Sequence, residues 1–89
     1  MARRRVEIVN EKGLHARASA RFVETVELFD ATARVARNGI EVPGDSIMGL
    51  LTLSASKGTE VEILTEGKEA EELADALADL VSSRFGEDQ

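Results

Sequence analysis

Apolar and polar residues alternate along Arg5-Val6-Glu7-Ile8-Val9, with β-branched side chains among them, and this predicts a strand with Val6 and Ile8 on one face. Residues 10–13 then turn. Between Ala16 and about Leu28 the apolar spacing changes to three and four: Ala16, Ala20, Val23 and Leu28, with Phe22 and Val26, predict a first helix. Residues 32–37 and 40–42 alternate again around Asn38-Gly39, a pair suited to the two positive φ angles of a type I′ turn, so a β-hairpin is expected. Pro43-Gly44 ends it. Asp45 or Ser46 can then cap a short helix through Ile47, Met48, Leu50 and Leu51. Lys57-Gly58 turns into an alternating strand over residues 60–64, which Glu66-Gly67 closes. Residues 69–85 place Ala70, Leu73, Ala74, Leu77, Leu80 and Val81 at helical spacing, with Glu69, Glu71, Glu72 and Asp75 at the positive end of the helix dipole and Gly86 as the stop.

The element order is therefore βαββαβα. Four short strands offer one apolar face and three helices can cover it, which predicts an α+β open-faced sandwich: one antiparallel sheet, one helical layer, the other sheet face in water. With 89 residues and no linker, repeat or low-complexity tract, the whole of 1–89 is expected to be one small domain.

Composition narrows the function. A net charge of −6 and only three aromatic residues argue against a nucleic-acid binder, whose affinity rests on Lys and Arg neutralising phosphates. The Arg3-Arg4-Arg5 cluster dissents, and is read first as charge blunting an exposed sheet edge. No apolar run approaches the roughly 20 residues needed to span a bilayer, and Met1-Ala2-Arg3-Arg4-Arg5 leads into no signal-like apolar segment, so a cytoplasmic protein is expected. With no cysteine and one histidine, the chain cannot assemble a zinc or copper site, and the acidic run at 69–79 lacks calcium-loop spacing, so neither metal nor cofactor is expected.

The chemistry then falls on His15, the single histidine, set in Gly13-Leu14-His15-Ala16-Arg17 at an expected helix start. Ser19, one turn on, lacks an orienting carboxylate and an oxyanion hole, so hydrolysis is weakly supported. Anion recognition is better supplied. A helix beginning at Ala16 leaves backbone N–H groups unpaired beside His15, and Arg17 adds a cationic fork that Arg21 can reinforce. A neutral imidazole is nucleophilic near neutral pH and suits transient phosphoryl transfer, while Gly13 permits the turn that exposes the ring. From spacing alone two readings stand: a phosphoryl acceptor, or a histidine that merely caps a helix beside a solvated Arg17.

The stretch from Gly13 to Ala20, the Asn38-Gly39 hairpin, Ser46-Ile47-Met48-Gly49-Leu50-Leu51-Thr52-Leu53 and Lys57-Gly58-Thr59-Glu60-Val61 resemble HPr, the histidine-containing phosphocarriers of the bacterial phosphoenolpyruvate phosphotransferase system. The resemblance runs end to end. It implies an HPr-like fold in which His15 accepts a phosphoryl group on Nδ1 from phosphorylated enzyme I and passes it to IIA-type proteins, with Arg17 binding the phosphate. It also implies a regulatory serine at Ser46, the target in some lineages of an HPr kinase/phosphorylase, and a docking patch of Leu14, Ala20, Ile47, Met48 and Leu51. No nucleic acid, cofactor or membrane insertion is implied, and a monomer is expected.

Two departures matter. Ala18 replaces a common proline at little cost, alanine being the best helix former. Glu24 and Glu27 stand where well-studied HPr proteins often carry lysines, which points to an adapted enzyme I and leaves the sugar-transport and nitrogen-related branches both open. A second function stays open: an HPr-like regulatory module that binds without transferring and is controlled at Ser46.

Overall fold

In the computed structural model, which describes all 89 residues, the strands β1 (Ala2–Glu7), β2 (Thr32–Arg37), β3 (Ile40–Pro43) and β4 (Glu60–Glu66) form one antiparallel sheet ordered β1-β4-β2-β3. The helices α1 (Ala16–Glu27), α2 (Ile47–Thr52) and α3 (Ala70–Ser82) cover one of its faces. This is the open-faced sandwich that the element order predicts. No helix is long and apolar enough to cross a membrane.

Alternation sorts the sheet. Val35, Val42, Val61 and Ile63 turn inward to meet Phe22 of α1, Leu50 of α2 and Leu73, Leu77 and Val81 of α3 in one core cluster. Arg3, Arg5, Glu7, Glu60, Arg34 and Glu41 occupy the alternate positions and stay exposed, so the second face is charged and open to water. Since β1 is an edge strand, Arg3 and Arg5 guard that edge against pairing with another chain. Arg4 turns the other way and donates to Glu71 at 2.9 Å and to Asp75 at 3.0 Å, tying β1 to α3. Asn38 and Gly39 adopt φ of 51° and 81°, as the hairpin turn requires.

Three expectations need correction. The first strand begins at Ala2 and ends at Glu7, because pairing with β4 runs from Ala2↔Thr65 to Glu7↔Glu60 and recruits the arginines. On α1 the buried stripe is Ala18, Ser19, Phe22 and Val26, whereas Ala16 and Leu28 are exposed. Alanines carry little directional signal, and the serine disguised the inner face.

The last helix also stops early. It ends at Ser82, and Arg84, Phe85 and Gly86 follow with φ of 60°, 55° and 77°, three consecutive left-handed residues. Such a conformation costs a bulky residue roughly 1–3 kcal/mol. Phe85 is fully buried, and burying a ring of this kind contributes about 1.5–3 kcal/mol, which anchors the turn in place. The turn sends the chain back across the β1–α1 loop, where the Glu11 N–H donates to the Gln89 carbonyl oxygen at 3.0 Å. Phe85→Ala should therefore cost about 3–5 kcal/mol in denaturant unfolding and release the tail. A loss under 1 kcal/mol would show that the ring anchors nothing.

Candidate functional site

The site grows from the loop between β1 and α1. Gly13 has φ of 67°, and a Cβ there would lie 2.5 Å from the Ala55 carbonyl oxygen and 2.9 Å from Ser56 Cα. Only glycine satisfies both the dihedral and the close approach. The contact is sealed by the Leu14 N–H, which donates to the same Ala55 oxygen at 2.8 Å, so the loop leading into α1 is pinned against residues 55 and 56. Asn10, fully buried, braces the turn from inside: its Nδ2 donates to the Gly13 carbonyl oxygen at 2.8 Å.

His15 follows at the N-cap of α1, with an extended backbone and its Nδ1 accepting from the Arg17 N–H at 3.2 Å. The ring thus serves as the helix cap, and the capping nitrogen faces the unpaired amides and the positive end of the dipole. On the opposite edge Nε2 lies 2.5 Å from Glu87 Oε2. A carboxylate only accepts, so Nε2 carries the proton; Nδ1, which accepts from Arg17, carries the lone pair. Both contacts demand the same tautomer.

Glu87 is held in turn by Asn10, whose Nδ2 donates to Oε1 at 3.0 Å. Burial alone would push the Glu87 carboxyl up, but hydrogen bonds from Asn10 and His15, helped by the nearby Lys12 charge, outweigh it, so the group sits below its ordinary value. It is an anion at neutral pH. Its side chain is 15% exposed, against 25% for that of His15.

Around this pair lie two grooves. One of about 440 Å³ is lined by Lys12, Arg17, Arg21 and the tail residues Glu87 and Asp88. A smaller one of about 180 Å³ is lined by His15, Lys12, Leu14, Ser54 and Ser56. Lys12 borders both. The Arg17 guanidinium is exposed and makes no ion pair within the chain, so it is free to meet an incoming anion. A larger surface depression, about 700 Å³, lies by the sheet between Arg5, Arg37 and Glu62 and does not include His15.

The remaining candidates separate. Ile47 and Met48 are 39% and 73% exposed, while Ala20 and Leu51 are half-buried. Leu14 differs from the docking role expected of it: it is 7% exposed and belongs to the core, because the tight Gly13 turn folds it inward. Ser46 is the N-cap of α2, its Oγ accepting from the Gly49 N–H at 3.0 Å. Ser19 is buried and its hydroxyl has no partner; its only bond to His15 is the helical one from its backbone N–H to the His15 carbonyl oxygen at 2.8 Å. Sequence reasoning missed Asn10, Lys12 and Glu87. The only trace of Asn10 was its place in a turn, and nothing local marked Glu87.

Gly13→Ala should lower stability by about 2 kcal/mol or more in denaturant unfolding, since it adds left-handed strain to a clash with backbone. The amide resonances of residues 14–17 should shift with it. An alanine variant as stable as the parent would contradict this geometry.

Comparison with known proteins agrees with the geometry. The family described as "PTS HPr component phosphorylation site" matches residues 2–83. The phosphocarrier protein HPr of Neisseria meningitidis serogroup A is 45% identical over 87 residues, covering 98% of each chain. That of Cupriavidus necator is 41% identical over the same span and coverage. The crystal structure of HPr-C-His from Thermoanaerobacter tengcongensis superposes with a TM-score of 0.94 at 40% identity, covering all of both chains. A phosphocarrier HPr from Bacillus anthracis gives 0.85 at 38% identity, over 90% of this chain and 95% of its own. With its whole length matched and its lone histidine capping the first helix, this chain belongs to the HPr family of phosphocarrier proteins of the phosphotransferase system.

Proposed function

We propose that His15 Nδ1 is the phosphoryl acceptor of this phosphocarrier, loaded by phosphorylated enzyme I and unloaded to IIA-type proteins. The observation that carries this reading is the tautomer: Nε2 faces a carboxylate and Nδ1 faces the start of α1. A phosphoryl group bonded to Nδ1 takes over the place of the imidazole as cap. The Arg17 N–H then donates to a phosphate oxygen, and the free Arg17 guanidinium, with Arg21 and Lys12 along the same groove, meets the remaining charge.

Partner choice falls to the surface beside this site. Met48 and Ile47 supply exposed apolar contact on α2, which packs against α1, and Glu24 and Glu27 line α1 with negative charge. Those acids favour an enzyme I with a complementary basic surface. Ser46 is the proposed regulatory position, open to an HPr kinase/phosphorylase: a phosphate there adds roughly −1.5 to −2 charges next to Ile47 and Met48 and weakens docking.

Phosphoenolpyruvate with a cognate enzyme I should add one acid-labile phosphoryl group, absent in His15→Ala. Arg17→Ala should still fold but load about tenfold or more slowly, while Met48→Asp should raise the concentration needed for half-maximal loading. Undiminished labelling of His15→Ala would overturn the reading.

A further inference from the structure

The left-handed turn at residues 84–86, the docked tail and the hydrogen bond from Asn10 all serve to bring one carboxylate to the far edge of the His15 ring. We infer that Glu87 is a positioning residue for phosphoryl transfer: through Nε2 it locks the imidazole with the Nδ1 lone pair aimed at the α1 N-terminus and neutralises the ring while it is phosphorylated. Its role in transfer rests on the proposed function of His15; the locking of the ring does not.

The geometry is specific. Glu87 Oε2 meets Nε2 at 2.5 Å and Oε1 meets Asn10 Nδ2 at 3.0 Å, so each carboxylate oxygen has its own donor. Asn10 is fully buried, and its second Nδ2 bond, to the Gly13 carbonyl oxygen, fixes the amide orientation. Asn10, Glu87 and His15 therefore form a relay joining the turn before α1 to the tail after α3. The turn that delivers Glu87 holds two non-glycine residues, Arg84 and Phe85, in the left-handed region, and the buried Phe85 ring locks it.

The electron bookkeeping fits. As the Nδ1 lone pair forms the N–P bond, the bond between phosphorus and the donor's leaving group breaks and its electron pair departs with that group. The ring keeps its Nε2 proton and becomes cationic. No proton has to move, because the Glu87 anion is already in place to balance the new charge. On transfer to the acceptor the N–P electrons return to Nδ1 and the ring is neutral again.

Glutamine at this position is a sharp probe. It offers one oxygen where two donors, Asn10 Nδ2 and His15 Nε2–H, need one each; Asn10 is held in orientation by the Gly13 carbonyl oxygen and keeps that oxygen, so the glutamine amide N–H faces Nε2 and the bond to His15 fails. The experiment compares the full-length protein with Glu87→Gln and with Glu72→Gln, which removes the same charge from an exposed position on α3 outside both grooves. The parent and Glu72→Gln should show a downfield, slowly exchanging Nε2–H proton in NMR spectra of the unphosphorylated protein, and Glu87→Gln should lose it. Loading by enzyme I should slow about tenfold or more in Glu87→Gln alone, as expected for a charge-assisted hydrogen bond. An unchanged Nε2–H signal and loading rate in Glu87→Gln, or an equal loss in Glu72→Gln, would overturn the inference. If Glu87→Gln loses the proton signal while His15→Ala still takes up label, the ring lock stands, and the acceptor assignment is what fails.

Discussion

Everything at this site depends on one imidazole ring held from both edges. Nδ1 accepts from the Arg17 amide and Nε2 donates to Glu87, so a single side chain joins the start of α1 to the tail that follows α3. The rest of the fold supplies the means. The sheet and its helical layer set the distance between the β1–α1 loop and the end of α3, the Gly13 turn presents the ring, and Phe85 anchors the chain that returns Glu87 to it.

The capping bond explains why such a carrier can exchange its cargo readily. A side-chain N-cap is worth about 1 kcal/mol, and an anion at a helix N-terminus contributes typically 0.3–1 kcal/mol and up to about 2. These are similar quantities. In the proposed function Nδ1 gives up the Arg17 amide to a phosphate oxygen and the helix exchanges one acceptor for another of comparable strength, so the protein scaffold would neither trap the phosphoryl group nor expel it. The two meanings that the sequence allowed for His15, helix cap and phosphoryl acceptor, would then describe the same atom in two states.

Much of the fold was legible because its signals are local. Strand alternation, the Asn38-Gly39 turn, the Ser46 cap and the stripe of α3 each lie within a few residues, and the sandwich follows from their order. What escaped depends on tertiary contact. The α1 face was blurred by alanines and by the buried Ser19, Leu14 was drawn into the core by a glycine turn packed on residues 55 and 56, and the final helix yielded to a left-handed turn that a buried Phe85 anchors. His15 and Arg17 could be picked out from type and spacing, whereas Glu87 is 72 residues from its partner and no local pattern announces that separation.

The account turns on which ring nitrogen is the nucleophile, and the site of the N–P bond measures this directly. With ¹⁵N-labelled histidine and phosphoenolpyruvate-driven loading, one-bond ³¹P–¹⁵N coupling should appear at Nδ1 of His15 while Nε2 still bears its proton. Coupling at Nε2, or a phosphoryl group with no coupling to His15 at all, would contradict it.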